Sequence, residues 1–68
     1  MAYFCYVSSE GSSTPHMEAL PSNTLYDAKT QSSRMLTERR RGVRAELFDD
    51  DRRVATISPG EAAERLGG

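Results

Sequence analysis

Apolar residues recur along this chain with two periods, and the change from one to the other marks its elements. Residues 2–7 read Ala-Tyr-Phe-Cys-Tyr-Val, the aromatic and branched composition of a strand with both faces apolar. Tyr3, Cys5 and Val7 point one way and Ala2, Phe4 and Tyr6 the other. The strand therefore belongs at the centre of a sheet, its second face partly covered by a partner or by the end of the chain. Residues 8–15 are a run of Ser, Glu, Gly and Thr closed by Pro15 and predict a mobile loop. Residues 16–20, between Pro15 and Pro21, predict a short edge strand pairing back on the first.

After Pro21 the period lengthens. Leu25, Ala28, Ser32, Met35 and Leu36 fall on one side of a helix and Asp27, Gln31, Arg34, Glu38 and Arg41 on the other, an amphipathic pattern of about four turns. Thr24 caps its start with Asp27 near the positive end of the dipole. Arg39, Arg40 and Arg41 then complement the negative end, and Gly42 supplies a left-handed stop, so the helix is expected over about 25–41.

The period returns to two at Val43, Ala45 and Leu47, which alternate with Arg44, Glu46 and Phe48. Asp49, Asp50, Asp51 and Arg52 have turn chemistry, and residues 53–57 resume a strand, which predicts an antiparallel hairpin. Ser58, Pro59 and Glu61 form a second helix start, with a short helix to about Leu66 and frayed glycines after it. The expected fold is α+β: a three- to four-stranded antiparallel sheet, one helix packed on one face, and residues 58–68 as a peripheral tail or short C-terminal helix. Its core is expected from Val7, Leu25, Ala28, Met35, Leu36, Val43, Leu47 and one of Val54 or Ile57.

At 68 residues the chain is a single small domain that removes only about 60% of its unfolded surface from water. Its stability is expected at about 3–10 kcal/mol. Nine Lys and Arg against ten Asp and Glu give a net charge of -1, so no global field draws it to nucleic acid or anionic lipid. One cysteine excludes an internal disulfide and fits a reducing compartment. With no leader and no run long enough to span a bilayer, the expectation is a cytoplasmic protein with no membrane contact.

Candidate chemistry is sparse. Cys5 lies in a strand that should be buried, where a thiol acts as a small hydrophobe, and His16 stands apart from it in a loop or edge. No catalytic residue is assigned, and no cofactor. Asp49, Asp50 and Asp51 lack the glycine and the distal glutamate of a calcium loop, so no metal is assigned. Three adjacent carboxylates also offer a phosphate-like surface to a basic partner. The strongest local signal is cationic: Arg34, Arg39, Arg40, Arg41 and Arg44 fall within eleven residues. They serve either as dipole complement and solubility, or as a surface for carboxylates and phosphates.

Thr24-Leu25-x-x-Ala28-Lys29, followed by Gly42-Val43 and a charged hairpin, resembles a group of small phage-encoded anti-CRISPR inhibitors. In that group an aromatic-containing strand, a polar loop and a short strand comparable to Met17-Glu18-Ala19 precede a helix packed on an antiparallel sheet. The resemblance covers about residues 1–58 and implies a non-enzymatic inhibitor. Such a protein binds backbone subunits of a type I CRISPR surveillance complex through a cationic helix surface, here Lys29 and Arg34, and obstructs target DNA. The Arg39 to Arg41 run, the aspartate turn and the tail from Pro59 lie outside the family's pattern. The leading expectation is an interaction protein that blocks a host protein or nucleoprotein surface, with Lys29, Arg34, Arg39, Arg40, Arg41 and Arg44 as partner-binding residues. Two alternatives are a small nucleic-acid-binding protein using the Arg34 to Arg44 cluster directly and a homodimeric structural protein using the second sheet face.

Overall fold

The computed structural model describes residues 2–67. Strands Tyr3–Ser9 (β1) and His16–Leu20 (β2) precede helix Leu25–Thr37 (α1); strands Gly42–Asp49 (β3) and Arg52–Ile57 (β4) precede helix Pro59–Gly67 (α2). The four strands form one sheet in the order β2-β1-β3-β4, and every neighbouring pair is antiparallel. The two-sided β1 is thus central and the Pro-bounded β2 is an edge, as their patterns require.

Register decides which side chains meet the helices. Cys5 stands opposite Leu47 and Val7 opposite Ala45, while Ala45 stands opposite Ile57, so these residues share one face. Leu36 of α1 and Ala62 of α2 close over Cys5, Val7, Ala45 and Ile57, and a second cluster joins Tyr3, Ala28 and Leu47. Burying each large aliphatic side chain contributes about 1.5–3 kcal/mol.

Both helix starts are capped as their sequences require. The Asp27 amide donates to Thr24 Oγ1 at 3.2 Å, and the Glu61 amide donates to Ser58 Oγ at 3.2 Å. The Glu61 carboxylate turns to Arg65 at 3.4 Å. Residues 59–67 form a packed helix rather than a loose tail, because Ala62 is completely enclosed in the main cluster.

Three expectations are corrected. First, α1 stops at Thr37 with Glu38 as its cap, four residues short of Arg41. The next positions to face the sheet after Leu36 would be 39 and 40, and both are arginines, which cannot be buried there unpaired. Second, Gly42 is no left-handed stop: the only described glycine with positive φ is Gly11. Gly42 begins β3, where a Cβ would lie 2.7 Å from Leu36 Cδ1 and 3.0 Å from the Leu36 carbonyl oxygen, so close approach to α1 explains its place. Third, Leu25 and Val43 are 38% and 45% exposed. Leu25 opens α1 and Val43 is the second residue of β3, both just beyond the packed layer, whereas Tyr3, Cys5, Ala45 and Ala62 occupy the core. Met35 is only partly buried at the core's margin.

The core also holds a polar defect. Ser33 is enclosed but donates to the Lys29 carbonyl at 2.8 Å, whereas the equally buried Ser32 hydroxyl makes no well-formed hydrogen bond among the described residues and has only the Cys5 thiol, a weak partner, beside it. Ser32→Ala removes that poorly satisfied group and improves helix propensity. It is expected to raise stability by about 1 kcal/mol, read as a higher urea midpoint at unchanged slope; a lower midpoint would show that the hydroxyl is satisfied in solution.

Candidate functional site

The six cationic residues singled out by the sequence do not form one patch. Lys29 and Arg34 are five positions apart on α1, which separates them by about 140° around the helix axis; Lys29 is half-buried and Arg34 exposed. Arg39, Arg40 and Arg41 are exposed in the turn that follows α1. With Met35 they line a cleft shared by Ser9, Glu10, Glu18 and Glu38, so their charge is set against three carboxylates. Arg44 projects on the opposite face of the sheet, because it pairs with Ser8 and alternates with the inward Ala45.

That opposite face is the more distinctive surface. Phe4 and Tyr6 of β1 stand beside Phe48 and Glu46 of β3, and Ala19 and Met17 of β2 flank them on the other side. The Tyr6 and Phe48 rings meet edge to face, with centroids 5.3 Å apart and planes at 72°. Met17 is 48% exposed, and Phe4, Tyr6 and Phe48 are half-buried. Since Leu36 and Ala62 pack on the same inner cluster, neither helix covers this face. The cover anticipated for Phe4 and Tyr6 is therefore not supplied by α2.

Charges border the rings. Arg53 Nη1 lies 3.0 Å from Glu46 Oε2, and Arg44 Nε lies 3.8 Å from Glu46 Oε1. A groove on this face is lined by Tyr6, Pro15, Glu46, Phe48, Asp50 and Asp51. The aspartate turn is pinned in place: Asp50 adopts φ 56, a left-handed conformation aspartate tolerates. Its amide donates to the Ala2 carbonyl at 2.7 Å and its Oδ1 accepts from the Ala2 amide at 3.0 Å. The alternation of residues 2–7 and 43–48 already held this surface. What the sequence lacked was the register that sets Tyr6 near Phe48, and the side of the sheet on which α2 packs.

Elsewhere, Cys5 is fully buried. Burial pushes its pKa up, the Ser32 hydroxyl beside it lowers it in part, and the Glu18 charge raises it further, so the thiol is held neutral. His16 Nε2 pairs with Glu18 Oε2 at 3.1 Å on the exposed edge strand. Among the described residues no group of His, Cys, Asp and Glu is placed to hold a metal ion. No described helix is long and apolar enough to cross a membrane. Compared with protein-family models, curated proteins and solved structures, the chain matches none of them.

Proposed function

We propose that the chain is a non-enzymatic interaction protein that binds a protein partner through the helix-free face of its sheet. The observation that carries this reading is the grouping of Phe4, Tyr6, Phe48 and Met17 on one uncovered surface, the kind of apolar, aromatic patch that marks interaction sites. The cationic end of α1 is a weaker candidate. Its cleft interleaves Arg39, Arg40 and Arg41 with Glu10, Glu18 and Glu38, which opposes binding of a phosphate backbone. On this proposal the protein acts in the cytoplasm of a host cell by occupying a surface its partner needs. The resemblance to anti-CRISPR inhibitors supports a type I surveillance complex as that partner; the helix surface of Lys29 and Arg34 that it implies lies across the sheet from the open face and is a separate candidate.

Partner capture from host lysate, quantified by mass spectrometry, tests this for three baits. They are the native chain, Tyr6→Ser with Met17→Ser, and Arg39→Ala with Arg40→Ala and Arg41→Ala, each verified as folded by circular dichroism. The expected result is a saturable partner retained by the arginine variant and lost from the open-face variant, at a cost of about 2 kcal/mol or more in binding. Loss from the arginine variant alone moves the site to the end of α1. Equal capture by all three removes the assignment to either surface. A sedimenting dimer of the native chain that the open-face variant dissociates would make a second copy the partner.

A further inference from the structure

The groove over Tyr6 and Phe48 combines two features that together select a class of ligand. Its floor is an aromatic corner, two rings at 72° with centroids 5.3 Å apart, with Pro15 as a further apolar wall. Its remaining lining is Glu46, Asp50 and Asp51, with no Lys or Arg among the lining residues. Arg44 and Arg53 stand near Glu46 but outside the groove, and Asp50 is tied to Ala2 through one carboxylate oxygen. Neither Asp50 nor Asp51 has an ion-pair partner within 4 Å among the described residues.

Aromatic faces carry negative potential and attract a cation placed over them, and adjoining carboxylates add charge-assisted hydrogen bonds to the same guest. A phosphate backbone laid on these rings would meet the carboxylates of Asp50 and Asp51, which no cation offsets among the described residues, so the charge pattern disfavours single-stranded nucleic acid despite the stacking platform. A guanidinium is the better guest, because it is planar, stacks on aromatic rings and donates in a fork to a carboxylate. We infer that the Tyr6–Phe48 groove is a receptor for an arginine side chain presented by a protein partner. This rests on the proposed reading of the open face as an interaction surface and names the chemistry that the surface recognises.

The test uses the intact chain and a short capped peptide carrying adjacent arginines, with a second peptide in which citrulline replaces each arginine. Citrulline keeps the shape and removes the charge. Amide shifts in two-dimensional NMR report the binding. The arginine peptide should produce saturable shifts centred on Tyr6, Phe48 and Asp51, and the citrulline peptide should bind about ten-fold more weakly or less. Tyr6→Leu and Asp51→Asn should each weaken the arginine peptide, whereas Tyr26→Ala, at an exposed position of α1, should leave it unchanged. Equal binding of the two peptides, shifts confined to other surfaces, or preference for single-stranded DNA at these rings would overturn the inference. If the peptide fails while Tyr6→Ser with Met17→Ser still loses a captured partner, the arginine receptor is refuted and the interaction surface stands. If both fail, both are refuted.

Discussion

Leu36→Ala is expected to destabilise the protein by about 3–4 kcal/mol. Leu36 is 2% exposed and packs into the cluster of Cys5, Val7, Ala45, Ile57 and Ala62, so truncating it opens a void bordered by both helices and the sheet. The main chain of β3 also limits how far that void collapses, because Gly42 already lies against Leu36. With total stability expected at about 3–10 kcal/mol, the loss takes a third or more of the whole. Urea unfolding followed by circular dichroism should show the midpoint falling with little change in slope. A loss below about 1 kcal/mol, as expected for the half-exposed Leu25, would mean that α1 does not pack as described. The contact with Gly42 adds an internal check: Gly42→Ala should cost less in the Leu36→Ala background than in the native chain, since the Cδ1 atom 2.7 Å from the new methyl has gone.

Removal of residues 59–68 is expected to abolish cooperative folding. These residues carry little apolar surface of their own, which makes the segment look dispensable. Yet Ala62 is fully buried beside Leu36, Val7 and Ile57, and its small side chain lets α2 lie close enough to exclude water from them. Without α2 those larger groups are exposed, and in a domain this size the remaining burial barely offsets conformational entropy. The truncated chain should show collapsed amide dispersion and no sharp thermal transition. A melting temperature within a few degrees of the full chain would instead establish α2 as an accessory.

The layout of the fold was legible because the sequence switches period cleanly. Residues 2–7 and 43–48 alternate, residues 25–36 repeat at helical spacing, and Thr24 and Ser58 mark their helix starts. The α+β class, the order of elements and the central place of β1 all follow from those local signals. The end of α1 did not, because helix propensity favours arginine, and only the sheet's position shows that residues 39 and 40 would point into it. Leu25 and Val43 misled for a related reason: hydrophobicity records what a residue tolerates, while burial depends on what lies opposite. Ser32 and Ala45 fell on the expected faces, but small residues such as these and Ala62 carry too little hydrophobic signal to be read as core, although all three are fully buried.

The candidate site was harder to see. A run of arginines stands out in a sequence, but helix geometry separates Lys29 from Arg34 and strand alternation sends Arg44 to the other face of the sheet. Phe4, Tyr6 and Phe48 are far less conspicuous as letters, since aromatic residues in strands ordinarily belong to a core. Their grouping depends on long-range register, in which Phe4 faces Phe48 across β1 and β3. Their exposure depends further on α2 packing beside α1 on the inner cluster.

The most direct measurement of the central claim is the solvent accessibility of the Tyr6 and Phe48 ring protons, read by NMR with a soluble paramagnetic agent before and after addition of a captured partner. In the free protein these rings should be relaxed far more strongly than the methyl protons of the enclosed Leu47, and partner binding should shield them while the exposed Tyr26 ring stays accessible. Rings already shielded in the free monomer, or still fully accessible in the complex, would contradict the assignment of the open sheet face as the binding surface.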